Sequence, residues 1–202
     1  MKIIKNITDD EMISIFLKGE INSKRFGLAI KKEITGLNIK EKVITNPDIF
    51  DIQENEFRKQ IFSNYRDYGG NKGLFENFPK NIKWIRAQIT RDELLKIKYI
   101  NYDYWIELSD GSRLSTCAAK KIKEGTEVFG TSNKNFLEAA EWLRQGKTFP
   151  ELIIVGENIN SYFVALEGHL RLTAYALTPD YIPELNTVVA GLSEKIGQWP
   201  EY

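Results

Sequence analysis

Directly after Glu167, the four residues Gly168-His169-Leu170-Arg171 combine a glycine, the only histidine in the chain and a guanidinium. The surrounding stretch "VALEGHLRLTAYAL", from Val164 to Leu177, reads as a strand turning into a helix, which puts these residues at the corner. A helix start carries backbone N–H groups without partners inside the helix, and a partial positive charge. A glycine just before it lets a ligand approach the backbone closely. Together these features favour a phosphate. Arg171, in the first turn, adds a charge-assisted contact. His169 can donate to a phosphate oxygen or carry a proton near neutral pH. Thr173, on the same helix, is counted with them as a candidate ligand. Glu167 stands beside this anion pocket as a base, as an acceptor from a sugar hydroxyl, or as a ligand to Mg²⁺ shared with nucleotide phosphates. The same residues also suit a structural corner: Gly168 relieves a turn, Glu167 complements the helix dipole, Arg171 is solvated and His169 has no role.

The elements that must position this corner follow from capping and periodicity. Thr8 with Glu11 forms a capping-box pattern, and Gly19 marks the stop of a first helix. A second helical pattern follows Ser23, and a third runs through Phe57, Ile61, Phe62 and Tyr65. The first seventy residues therefore read as helical. "NIKWIRAQIT" has the β-branched and aromatic texture of a strand, and Thr90 with Glu93 opens a short helix. A helix from about Ser132 to Gln145 precedes two strands in "FPELIIVGENINSYFVALEG", then the corner helix, then a last strand in "NTVVAGL". The expected fold class is α+β, with a helical region over 1–75 and an α+β domain over 76–202.

The order of these parts resembles the ParB/sulfiredoxin-like superfamily. Its members run a helix ending in glycine, a "P-hydrophobic-V" strand, a second strand, a Gly-x-x-Arg corner, a helix and a final strand. Here those parts stand as "FLEAAEWLRQG", "FPELIIV", "YFVALEG", "GHLR", "LTAYAL" and "NTVVAG". The resemblance implies a corner that binds nucleotide phosphates. ParB relatives are CTP-binding switches, sulfiredoxins use ATP, and related free-serine kinases transfer phosphate to a small hydroxyl substrate. Gly168 and Arg171 match the corner's glycine and arginine. His169 stands where sulfiredoxins have their catalytic cysteine, so reduction of cysteine sulfinic acid is not expected. His169 matches the Gly-His-His-Arg form of the serine-kinase branch, with Glu167 in place of its preceding acid. The departure is Leu170, where relatives have histidine or arginine, so one contact of the family is missing. Arg113 precedes the corner as an arginine does in ParB relatives, and is a further candidate phosphate ligand. The whole chain also resembles a group of bacterial proteins with a "YIxYDYWxELSxGSR" texture, to which no activity is attached.

Composition limits the alternatives. The 28 basic and 28 acidic side chains cancel, which gives no general attraction to DNA or to an anionic membrane. One cysteine, Cys117, permits no internal disulfide, and the chain is expected to be cytoplasmic. No apolar run approaches the roughly 20 residues of a membrane span. Lys24, Arg25, Arg58, Lys59 and Arg66 offer a basic helical face to nucleic acid, but Glu54, Glu56 and Asp67 among them favour a solvated face. Trp105 reads as core, and Asp103 with Glu107 as a solvated pair. The expectation is a nucleotide-binding protein that uses ATP, ADP or CTP with Mg²⁺ for phosphoryl transfer or hydrolysis. Glu167 and His169 are the candidate catalytic residues. A non-catalytic, ParB-like nucleotide-sensing or DNA-associated module is the alternative.

Overall fold

The stretches "LIIVG", "VALE" and "VVAGL" are apolar at successive positions, so both faces of a sheet must be covered. The computed structural model describes all 202 residues and meets that demand with one five-stranded mixed sheet and nine α-helices, an α+β fold. In chain order these are β1 (Lys2–Asn6), α1 (Asp9–Glu20), α2 (Gly27–Gly36), α3 (Lys42–Thr45), α4 (Ile52–Arg66), β2 (Lys83–Thr90), α5 (Arg91–Leu95), α6 (Asp103–Leu108) and α7 (Ser115–Lys123). Then follow α8 (Lys134–Arg144), β3 (Leu152–Gly156), β4 (Val164–Glu167), α9 (His169–Leu177) and β5 (Leu185–Leu192). The strand order is β1-β2-β5-β3-β4; only β3 and β5 run parallel.

One face presents Ile85, Ala87, Leu152, Ile154, Ala165, Val188 and Ala190 to the helices that follow β2, with Phe136, Ala140, Leu172 and Leu177 among their contributions. The other presents Trp84, Ile153, Val155, Val164, Leu166 and Val189 to the N-terminal helices, through Met12, Phe16, Leu17, Ile30, Ile61 and Phe62. The region 1–75 is therefore the covering layer of a sheet whose strands lie mostly in 76–202. Each region lacks a closed core without the other, because apolar strand faces left open would cost about 25 cal/mol per Å².

Local chemistry explains the element boundaries near the corner. The Thr8 hydroxyl accepts from the Glu11 amide while Glu11 accepts from the Thr8 amide, which starts α1. Thr90 and Glu93 repeat that exchange at α5. Gly19 does not end α1, which continues through Glu20. The structure adds β1 where the sequence reads as helical throughout. "KIIKN" is a short, fully exposed edge strand whose lysines protect its open side, and too brief to show a period. The aromatic stretch after Tyr99 forms α6, placing Asp103 and Glu107 on exposed positions.

Because the two layers share one sheet, unfolding should be a single cooperative event. Phe62→Ala and Leu172→Ala, in opposite layers and both fully buried, should each lower stability by roughly 2–5 kcal/mol. Urea melts followed by fluorescence and by circular dichroism should show each substitution shifting the same transition. Two transitions moving separately would show independent layers.

Candidate functional site: the β4–α9 corner

The corner forms because Gly168 can do what no other residue can. It takes a left-handed conformation, φ 104°, between the end of β4 and the first turn of α9. A Cβ there would lie 2.4 Å from Leu152 Cδ2 and 3.2 Å from the Arg171 guanidinium carbon. The corner is thus sealed from below by Leu152 and by Arg171 itself. No side chain caps α9, so the first-turn N–H groups depend on whatever lies outside the helix.

Arg171 is buried and folds back over the glycine. Its Nη1 donates to the carbonyls of Pro150 (2.9 Å) and Glu151 (2.8 Å), and its Nη2 donates to Glu167 Oε1 (2.7 Å). It therefore ties the start of β3 to the end of β4. A cleft of about 350 Å³ adjoins this clamp, sharing Pro150, Glu151 and Leu152 with it and adding Lys147, Tyr175 and Asn186.

Glu167 meets a second carboxyl that the sequence reading does not contain. Glu20, at the end of α1, is buried and takes a hydrogen bond from the Ser23 hydroxyl (3.1 Å). Burial, then the charge of Glu167 and a hydrogen bond to it, push the Glu20 carboxyl up to about 8. Burial would raise Glu167 too, but the Arg171 charge and the hydrogen bond from Glu20 outweigh it and hold Glu167 below its ordinary range. The pair thus favours a protonated Glu20 beside an ionised Glu167. A signal for Glu20 exists in the sequence: a carboxylate in the last turn of a helix opposes the helix dipole.

His169 stacks on Trp105 (centroids 5.1 Å apart, 17° between planes) and, further off, on Tyr99 (6.0 Å, 21°). Burial pushes its imidazole down to about 4 despite the pull of Glu167, with Arg66, Arg171 and Arg25 adding to the fall. It is neutral at physiological pH, and its Nε2 is buried without a hydrogen-bond partner. The Tyr65 hydroxyl and Arg66 Nε are also buried and unpartnered. Both belong to the end of α4; the Arg66 charge lowers Glu20, and the Glu20 charge adds to burial in raising Tyr65.

The structure thus assembles Glu167, Gly168, His169 and Arg171 at one corner. Thr173 stays close: its hydroxyl donates to the His169 carbonyl (2.8 Å) and lies 2.7 Å from the Tyr99 hydroxyl. Arg113 serves another part of the fold. Its guanidinium donates to the carbonyls of Tyr99, Glu201 and Tyr202, anchoring the C-terminal residues. No group of three or more His, Cys, Asp or Glu residues is placed to hold a metal. No helix is long and apolar enough to cross a membrane. No family model, curated protein or solved structure matches the chain.

Two predictions follow from the geometry. Gly168→Ala should cost at least 1–3 kcal/mol from the left-handed backbone alone, read as a lowered urea midpoint. The acid pair makes stability depend on pH in a defined sense. Glu20 binds its proton more tightly folded than unfolded, so its contribution is complete below the ordinary value of 4.5 and is lost as pH rises towards 8. Glu167 works oppositely, and its contribution is lost only as pH falls below that ordinary range. The Tm should therefore decline between about pH 4.5 and pH 8. Glu20→Gln, which keeps a neutral donor, should flatten that decline; an unchanged slope would place the titration elsewhere.

Proposed function

We propose that this chain is a nucleotide-binding protein of the ParB/sulfiredoxin-like kind that catalyses phosphoryl transfer or nucleotide hydrolysis, with the phosphates at the start of α9. The observation that carries the reading is the left-handed Gly168 opening an uncapped helix, with a neutral, unpartnered imidazole Nε2 in the first turn. First-turn N–H groups and a neutral imidazole are donors that suit phosphate oxygens. The order α8, β3, β4, corner, α9, β5 supports the same reading.

The residues divide the work as follows. Glu167 stays ionised and is the base that accepts a proton from the attacking hydroxyl or water. Glu20 keeps its own proton, which leaves Glu167 as the ionised member of the pair that can accept one. His169 donates to the phosphate oxygens without adding charge. Arg171 positions Glu167 and the start of β3; its Nη1 is already saturated by two carbonyls. A Mg²⁺ brought by the nucleotide would be held on the protein side by Glu167 and would offset phosphate charge there. The cleft beside the clamp suits the nucleoside or a small hydroxyl substrate.

A second reading, a non-catalytic nucleotide-sensing or DNA-associated module, is favoured by one observation. Leu170 is 39% exposed at the corner, an apolar side chain where a catalytic site would place a polar one. The two readings separate on turnover.

Isothermal titration with ATP, ADP and CTP, each with and without Mg²⁺, should show saturable binding that His169→Ala weakens roughly tenfold. Phosphate release or transfer abolished by Glu167→Gln would mark the catalytic form. Binding without turnover, together with salt-sensitive DNA retention, would mark the module. Absence of heat with every nucleotide would remove both.

A further inference from the structure

The cleft beside the Arg171 clamp holds about 350 Å³ and lies between the end of α8, the start of β3, α9 and the start of β5. None of the residues given a chemical role at the corner, Glu167, Gly168, His169 or Arg171, lines it. Its occupant is therefore recognised by other groups. Leu143, Leu152, Tyr175 and Val188 are buried and form an apolar floor. Phe149 stands at right angles to Tyr175 (centroids 5.5 Å apart, 86° between planes) and to Trp142 (6.0 Å, 83°). A further aromatic ring entering here meets ring faces and ring edges, the arrangement that aromatic pairs prefer.

Charge decides what else the occupant carries. Glu151 is the only acid of the lining, and Arg86 neutralises it with Nη2 and Nε at 2.7 and 2.8 Å. Lys147 is the only base of the lining. It is exposed and makes no ion pair; its ammonium rests 5.3 Å from the centroid of the Trp142 ring. The cleft thus carries one positive charge that the protein leaves uncompensated. Thr148 beside it offers a hydroxyl donor. The wall is also fixed before any ligand arrives. Arg171 holds the Pro150 and Glu151 carbonyls at 2.9 and 2.8 Å, so little ordering is left to oppose binding.

We propose that this cleft binds a small aromatic monocarboxylate, with its ring against Phe149 and Tyr175 and its carboxylate on the Lys147 ammonium. A cleft of this size, with an aromatic lining and one placed charge, is what a small organic ligand requires. One ammonium matches one carboxylate, whereas a phosphate dianion calls for several donors. An uncharged nucleoside would leave Lys147 unanswered. The claim stands apart from the function proposed above, because no side chain of the corner touches this ligand.

2-Naphthoate is the probe, with 2-naphthamide as its neutral counterpart and acetate as the charge without the ring. Isothermal titration should show saturable binding of naphthoate, roughly tenfold weaker binding of naphthamide, and none of acetate. Lys147→Gln should abolish the advantage of naphthoate and leave naphthamide where it was. Lys147 is exposed, so this variant keeps the test open should Phe149→Ala, which ought to weaken both ligands, not fold. Equal binding of naphthoate and naphthamide, or naphthoate binding indifferent to Lys147→Gln, would overturn the proposal. Displacement of naphthoate by adenosine or cytidine would do so too, and would give the cleft to the nucleoside. Titration with ATP and ADP on the same proteins separates the two claims. Nucleotide binding without naphthoate binding removes this site and leaves the corner function standing. Naphthoate binding without nucleotide binding does the reverse.

Discussion

The guanidinium of Arg171 joins three pieces of chain that would otherwise have no reason to meet. It holds the carbonyls of Pro150 and Glu151 at the start of β3 and the carboxylate of Glu167 at the end of β4, while its stem belongs to α9. A buried carboxylate without its cation is costly, of the order of 3–5 kcal/mol when one partner is removed. The clamp therefore does more than add an ion pair. It keeps Glu167 ionised, and an ionised Glu167 keeps the proton on Glu20. Gly168 belongs to the same construction, because a side chain there would occupy space needed by Leu152 and the guanidinium. The proposed chemistry of the corner begins from this charge distribution.

The second consequence concerns the N-terminal layer. Its helices cover the sheet face made by Ile153, Val155, Val164 and Leu166, an apolar requirement that any set of amphipathic helices could meet. These helices also end in polar groups at one place. α1 terminates in Glu20 and α4 in Tyr65 and Arg66, all directed at the corner. Arg66 lies on the faces of Phe16 and Phe26, held by its rings and by no acid. Covering a sheet explains the apolar stripe and leaves those chain ends unexplained. A layer evolved only to cover would pair or expose its cations, as it does with Lys59 and Lys24.

Much of the frame was legible from residue pattern. The helix from His169 to Leu177, both capping boxes and the strand over Lys83–Thr90 follow from local rules that tertiary packing does not override. The corner's membership, Glu167 with Gly168, His169 and Arg171, was legible for the same reason, since the four lie within five positions. What Arg171 does there was not. Its partners are two backbone carbonyls, which carry no side-chain signature, and a carboxylate one helical turn back. Glu20 was illegible because its partner lies far along the chain, and only its poor fit to the end of a helix hints at a second purpose. β1 escaped because five exposed residues at a sheet edge show no alternation. Arg113 misled for a different reason. Its sequence neighbourhood resembles that of a ligand, yet its left-handed backbone, φ 59°, and three carbonyl contacts give it an anchoring role.

The placement of one proton ties these strands of argument together. With Glu20 neutral, Arg66 has no ionised acid of its own, since Glu167 is paired with Arg171. With Glu20 ionised, Arg66 has an acid to act on. A buried acid raised this far costs stability at neutral pH relative to an isosteric amide, and an amide would satisfy Ser23 equally well. Keeping a carboxyl at that position makes physical sense where its charge must change, and the groups that would sense the change are the ones facing the corner.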